Sequence, residues 1–405
     1  MTGSNGRTEI ITGNNAAAIG VKLSGVEVIA AYPITPQTPV TEALSEFVES
    51  GELKAEYITV ESEHSALSVV IAASTAGART FTATSANGLA YMCEQIHWAA
   101  GSRLPVVMCV ANRAMAAPWS VLNDQQDSMS QRDAGWIQIF CRNNQEILDT
   151  VIQAYRIAES LYIPVMVCYD GYLLSHTVMP VRIPEQKLVT QFLPPYEPHT
   201  ILDPANPKNL NQVTLSDPRV NPDGTLCHGY MEFRYLLEEA LEAAPETIAR
   251  ADREFGEHFG RSWGGLCWEY QLQDADVVLM AAGSITMEAS VAVDKLRAEG
   301  VKAGVLGVRV YRPFPKDAVR KALKNARTVC VFDKSLSYGN EGPICADLKS
   351  ALYDTELRPH VHGYIAGLGG RAHHAHQLCE AVRESLGWAA NENTAKPTGW
   401  VNCSI

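Results

Sequence analysis

Short, unbroken apolar runs alternate with longer stretches of helical spacing through the first 170 residues, and few folds accommodate that alternation. The runs occupy 26–31, 57–60, 80–84, 105–111, 137–141 and 164–169, and the helical stretches 14–23, 40–48, 64–76, 89–100 and 145–160. Strands alternating with helices of this length imply crossover connections and a parallel sheet. Because the runs show no polar alternation, both faces of that sheet should be covered, as in a doubly wound α/β fold.

A second alternation begins near Asp276, with runs at 277–282, 303–308, 328–332 and 362–366. The stretch between the two is dense in proline (Pro194, Pro195, Pro198, Pro204, Pro207, Pro218, Pro222) and includes one charged helical stretch, 230–255. It reads as a connection. The expected organisation is an α/β unit over 1–180, a proline-rich connection with its helix over 181–261, a second α/β unit over 262–388 and an irregular tail over 389–405. A chain of 405 residues exceeds what one ordinary core needs.

Charge narrows the partners. With 33 basic against 45 acidic residues the net charge is −12, which repels nucleic acid and anionic membranes. No apolar run approaches the ~18–20 residues of a bilayer span, and the polar start, Met1 to Thr8, lacks the apolar centre of a signal peptide. A cytoplasmic protein is expected. The ten cysteines lie at 93, 109, 141, 168, 227, 267, 330, 345, 379 and 403, without a C-x-x-C pair or a cluster-binding run. Most should be buried free thiols, leaving the chain no redox centre and no metal site of its own.

Open parallel sheets bind ligands outside the carboxyl ends of their strands, so the residues just after each run matter most. Tyr32, Pro33, Ile34, Thr35, Pro36, Gln37, Thr38 and Pro39 follow the first run: a stiff loop with two threonine hydroxyls expected at a helix N-terminus. Glu61, Ser62, Glu63 and His64 follow the second, and helix-terminal acids are the plain alternative there. Ser85, Ala86, Asn87 and Gly88 follow the third and permit close approach to the backbone. Arg113 follows the fourth, ahead of a loop with Trp119, Asn123, Asp124 and Asp127. It is either a bidentate carboxylate clamp or half of an Arg–Asp pair. His373, His374 and His376 read as solvent-exposed, and Gly367, Leu368, Gly369 and Gly370 as a tight turn. The G-D-G motif followed by Asn that binds magnesium diphosphate in thiamine enzymes is missing, as are the P-loop, H-E-x-x-H and G-x-S-x-G patterns.

At these loops the sequence resembles the alpha subunit of 2-oxoacid:ferredoxin oxidoreductases, the family of pyruvate synthase. The matching stretches are AYPITPQTPVTE (31–42), TVESEHSALSVVIAASTAGARTFTATSANGLAYMCE (59–94), RLPVVMCVANRAMAAPWSVLNDQQDSMSQRDAGWIQIF (103–140), MVCYDGYLLSHTV (166–178), LMAAGS (279–284) and GVLGVRVYRPFP (304–315). They run through nearly the whole chain.

The resemblance implies a pyrimidine-binding thiamine-diphosphate domain joined to a transketolase C-terminal-like α/β domain. It implies oxidative decarboxylation of a 2-oxoacid to an acyl-CoA and CO2, with coenzyme A as co-substrate. A beta subunit would bring the diphosphate-binding domain, Mg2+ and a 4Fe-4S cluster; gamma- and delta-type subunits would join it, and ferredoxin or another acceptor would take the electrons. Carried over residue by residue, Glu63 matches the glutamate that hydrogen-bonds N1′ of the cofactor's aminopyrimidine. Thr35 and Arg113 match the residues that hold the substrate carboxylate, and Pro33, Ile34 and Asn87 line the cofactor. Pyruvate is the family default; an aromatic 2-oxoacid such as phenylglyoxylate and branched-chain 2-oxoacids are the rivals. Ala372 and histidines follow Gly369, Gly370 and Arg371, where relatives usually have an acid. A complete thiamine enzyme is disfavoured by the missing magnesium–diphosphate motif, and a non-catalytic scaffold by the joint presence of Thr35, Glu63 and Arg113.

Overall fold

The apolar runs assemble into two separate sheets. In the computed structural model, residues 6–198, 219–220, 226–227, 229–389 and 398–405 are described. Prolines 204, 207, 218 and 222, part of the expected connection, lie outside them, as does most of the tail.

The first sheet has seven strands in the order Val310–Arg312, Ile137–Phe140, Val165–Asp170, Val107–Asn112, Thr80–Thr84, Val28–Ala31, Glu56–Thr59. All pair in parallel except Val310–Arg312, which is antiparallel to Ile137–Phe140. Four central strands are buried along their whole length, as expected where helices cover both faces. Gly13–Leu23 packs on Asn144–Leu161, and Glu63–Thr75 on Cys93–Gly101. The helix expected over 89–100 is broken at buried Met92 into Ala86–Tyr91 and Cys93–Gly101.

The second sheet runs Cys267–Tyr270, Ala303–Val308, Val277–Ala281, Thr328–Asp333, His360–Ile365, Gly399–Trp400, with only the first strand antiparallel. Two strands here have no counterpart in the sequence reading. Cys267–Tyr270 alternates between intermediate, exposed and buried positions, and Gly399–Trp400 is two residues long. A further antiparallel pair, Gly6–Thr12 with Val178–Pro184, closes the base of the first unit.

Helix Tyr230–Phe259 is longer than expected and contains Pro245. It is not a free connector: Ile248, Phe255 and Phe259 are buried, and Phe192 meets Phe255 edge-on at 5.3 Å.

The two sheets are fastened by buried charge. Glu146, fully buried on Asn144–Leu161, pairs with Arg142 at 2.9 Å and with Arg309 at 3.1 Å. Arg309 follows a strand of the second sheet, and its remaining donors reach Gly265 O, Thr150 Oγ1 and Gln153 Oε1. Every polar group in that knot has a partner, the condition under which buried ions are tolerated. Of the nine cysteines whose side chains are described, all are free and seven are buried; Cys93 and Cys403 are exposed. No helix among the described residues is long and apolar enough to cross a membrane.

Candidate active site

The chain passes from strand Val28–Ala31 to the edge strand Glu56–Thr59 and then back across it to Thr80–Thr84. Loops leaving Val28–Ala31 and Thr80–Thr84 therefore diverge and open a crevice at the carboxyl ends, the usual ligand position in such sheets. All six residues singled out from the sequence lie on loops or a helix start around it.

The proline loop is held from below. Asn14 Nδ2 donates to Pro36 O at 2.8 Å, and Tyr169 Oη donates to Asn14 Oδ1 at 3.0 Å. Pro33 and Thr35 are exposed and Ile34 half-buried. The helix begins at Thr38 after Gln37, without a side-chain cap, so neither threonine hydroxyl serves as one. Thr35 Oγ1 has no hydrogen-bond partner among the described residues, and the residue is exposed.

Glu63 is the first residue of helix Glu63–Thr75, whose N-cap Ser62 accepts from Ser65 N. Its side chain is buried, 8% exposed, and its carboxyl has no hydrogen-bond partner among the described residues. A Cβ at Gly88 would lie 2.7 Å from Glu63 Oε1 and 2.6 Å from Thr84 Oγ1. Gly88 is therefore a shelf that lets the carboxyl in. Gly88→Ala should lower the unfolding free energy by about 1–3 kcal/mol through overpacking. Gly387→Ala, where nothing lies within 4 Å, should raise it by about 0.5–1 kcal/mol. Denaturant unfolding of both variants decides; a stabilised Gly88→Ala would refute the shelf.

Glu61 is exposed and accepts from Ser65 Oγ. His64 Nε2 sits 3.0 Å from Gln95 Nε2 and 3.6 Å from the Glu94 carboxylate, turned away from the crevice's other groups.

Among the described residues the Arg113 side chain forms no ion pair with an aspartate. Its guanidinium Nη1 donates to Thr35 O at 2.7 Å. Asp127 instead takes the Arg113 backbone N–H, at 3.0 Å. The side chain is 7% exposed, and Nε is buried without a partner. An unsatisfied guanidinium N–H suits an anionic ligand, since leaving such a donor unpaired is costly. Asn87 lies across the crevice with Oδ1 accepting from Ala116 N at 3.1 Å. Trp119, 78% exposed, caps nothing.

The second sheet abuts this site through residues 123–127. Gly370 N donates to Asn123 O at 2.7 Å and Gly369 N to Asp124 Oδ2 at 3.2 Å. Gln125 N donates to Lys334 O at 2.8 Å. Both glycines of that turn have positive φ, 56° and 74°, which glycine adopts without strain. Burial, with Asp127 close by, pushes the Asp124 carboxyl up to about 6. Fully buried Lys334 lies 3.0 Å from Asp170, which also accepts from Ser284. Burial works against the Asp170 carboxylate, but the Lys334 charge and hydrogen bonds from Ser284, Lys334 and Asn123 together outweigh it and hold that carboxyl below its ordinary range. Sequence reasoning missed this pair. Its signal was a charged residue at the end of one apolar strand, Asp170, and just beyond the end of another, Lys334.

His373 is half-buried rather than exposed, and burial lowers its proton affinity. His374 and His376 are exposed, their rings stacked at 5.8 Å. Among the described residues no three His, Cys, Asp or Glu side chains come together as a metal site.

Residues 19–251 match the family described as pyruvate flavodoxin/ferredoxin oxidoreductase, thiamine diphosphate-binding, and residues 275–378 match pyruvate:ferredoxin oxidoreductase core domain II. The chain is 50% identical over 368 residues to pyruvate synthase subunit PorA of Methanocaldococcus jannaschii, covering 90% of this chain and 91% of that one. It is 46% identical over 365 residues to ketoisovalerate oxidoreductase subunit VorA of Pyrococcus horikoshii, covering 90% of each. In fold it is similar to 2-oxoglutarate:ferredoxin oxidoreductase from Magnetococcus marinus, with TM-score 0.69 at 19% identity, over 94% of this chain and 65% of that longer chain. A split-gene transketolase gives TM-score 0.53 at 13% identity, over 94% of this chain and 99% of that one.

Proposed function

The chain belongs to the pyruvate flavodoxin/ferredoxin oxidoreductase family, as an alpha subunit of the 2-oxoacid:ferredoxin oxidoreductases, and from that premise we propose that it forms half of a thiamine-diphosphate site that oxidatively decarboxylates pyruvate. What supports the reading is one pattern: past the carboxyl ends of strands in one parallel sheet stand Glu63, buried and with no hydrogen-bond partner for its carboxyl among the described residues, and Arg113, buried with an unsatisfied Nε–H.

The residues fit the cofactor on this side. Gly88 leaves room over the Glu63 carboxyl, which would hold a proton at N1′ of the aminopyrimidine. Pro33, Ile34 and Asn87 would wall the ring. Bound thiamine diphosphate supplies the nucleophilic carbon and the electron sink for loss of CO2. Arg113, with Thr35, would grip the substrate carboxylate and orient the 2-oxo carbon. The pyrimidine unit is assigned to 1–180, the connection to 181–261, the transketolase C-terminal-like unit to 262–388 and the tail to 389–405.

The remaining half is assigned to partner chains. A beta subunit would supply the diphosphate-binding domain, Mg2+ and a 4Fe-4S cluster, alongside gamma- and delta-type subunits. Coenzyme A would take the acyl group, ferredoxin would take the electrons, and the complex would work in the cytoplasm. The 46% identity to a ketoisovalerate subunit supports a second reading, a branched-chain 2-oxoacid as substrate.

Anaerobic purification of the chain with its accompanying subunits, and an assay of coenzyme A-dependent acceptor reduction over a panel of 2-oxoacids, tests this. Highest kcat/KM with pyruvate is expected. Preference for a branched-chain acid would favour the second reading. A lone chain, inactive with every acid even after partner subunits are added, would leave the scaffold reading instead.

A further inference from the structure

Of the buried carboxylates near the crevice, Asp127 touches no open space yet ties its own segment to two others that build it, at Ala86 and at Asn112–Arg113. It is 1% exposed. Oδ2 accepts from Ala86 N at 2.9 Å and from Arg113 N at 3.0 Å. Oδ1 accepts from Asn112 Nδ2 at 2.7 Å and from Ser128 N at 2.8 Å. Ala86 ends the loop after Thr80–Thr84 and opens the short helix that carries Asn87 and Gly88, and it holds φ at 45°, where an L-residue needs outside support. Arg113 opens the neighbouring loop.

We propose that Asp127 is the positioning residue of this site: one carboxylate oxygen, shared by the amides of Ala86 and Arg113, fixes the spacing between the substrate clamp and the glycine shelf beside Glu63. The inference deepens the proposed function and rests on it. Charge-assisted bonds to backbone amides are strong and directional, more so out of water. The other bridge between these loops, Ala116 N to Asn87 Oδ1, is solvent-exposed. Arg113 reaches Thr35 O through a long side chain, so its reach is set at its own backbone, where Asp127 holds it. Burial pushes the Asp127 carboxyl above its ordinary range, and its four donors oppose that push without cancelling it.

The geometry permits a rescue. In Asp127→Asn one end of the group becomes a donor and faces two N–H groups. Adding Asn112→Asp gives that new donor an acceptor on its own side, so the remaining oxygen can stay on Ala86 and Arg113. Measured in the assembled complex, Asp127→Asn should raise the KM for the 2-oxoacid about tenfold to a hundredfold, with a smaller change in kcat. The double variant should return KM to within about threefold of wild type. Asp252→Asn is the control. That carboxylate is also buried and accepts from Ser262, Trp263 and Gly265, away from the crevice. It should lower the Tm and leave KM alone.

A KM unchanged in Asp127→Asn, or raised equally in Asp252→Asn, would overturn the inference. Should Asp127→Asn fail to assemble, Asn112→Ala, which removes one donor, should raise KM about threefold, and no change would count against it. A wild-type complex inactive on every 2-oxoacid would sink the proposed function itself, whereas an active complex insensitive to Asp127→Asn sinks only this inference.

Discussion

Glu63→Gln is expected to abolish 2-oxoacid turnover by the assembled complex, a loss of about a thousandfold or more, while assembly and thermal stability stay close to wild type. The amide matches the carboxyl in size, so it still fits beside Gly88. The carboxyl has no hydrogen-bond partner among the described residues, so the folded chain loses no bond when it is replaced. What an amide cannot do is share and release a proton with a ring nitrogen. The comparison variant is Glu61→Gln, two residues earlier on the exposed side, where activity within about twofold of wild type is expected. Coenzyme A-dependent reduction of an artificial acceptor reads both. Full activity in Glu63→Gln would remove this residue from the chemistry.

The second large effect is expected at Arg113. Arg113→Met removes a buried cation, its bond to Thr35 O and the unpaired Nε at once. The kcat/KM for the 2-oxoacid should fall by about a hundredfold to a thousandfold, mostly through KM, as for loss of a charge-assisted fork. Arg113→Lys keeps the charge but offers no planar pair of donors. It should recover less than about a tenth of the loss. Steady-state kinetics over a wide substrate range separates the two parameters. A fall confined to kcat, with KM unchanged, would mean that Arg113 acts after substrate binding rather than in holding the acid.

Both variants concern loops whose importance was legible before any coordinates, and the reason is physical. A strand covered on both faces tends to a continuous apolar run, so the ends of 107–112 and 165–170 are marked by the first polar residue, Asn112 and Asp170, whereas 80–84 carries threonine at every other position. Ligand loops follow directly from those ends. Side-chain direction is not marked in this way. The sequence places Arg113 and Asp127 fourteen residues apart and cannot say that the carboxylate takes the backbone amide while the guanidinium turns to Thr35. Nor does spacing reveal Lys334 against Asp170, since their pairing depends on how two sheets meet. Short strands were missed for a third reason. Cys267–Tyr270 and Gly399–Trp400 are too brief to carry a period.

The strand Val310–Arg312 has a consequence for how this protein can be divided. It leaves the second sheet's unit and completes the first sheet beside Ile137–Phe140. A gene cut between the two α/β units would strand that segment on the wrong fragment. The N-terminal fragment would be left with an open, fully buried-type edge, a template for association with other chains. The natural seam of this polypeptide is therefore not the boundary between its sheets: Ala303–Val308 belongs to the second sheet and Val310–Arg312, two residues on, to the first, so a dissection that respects the architecture must leave both units joined.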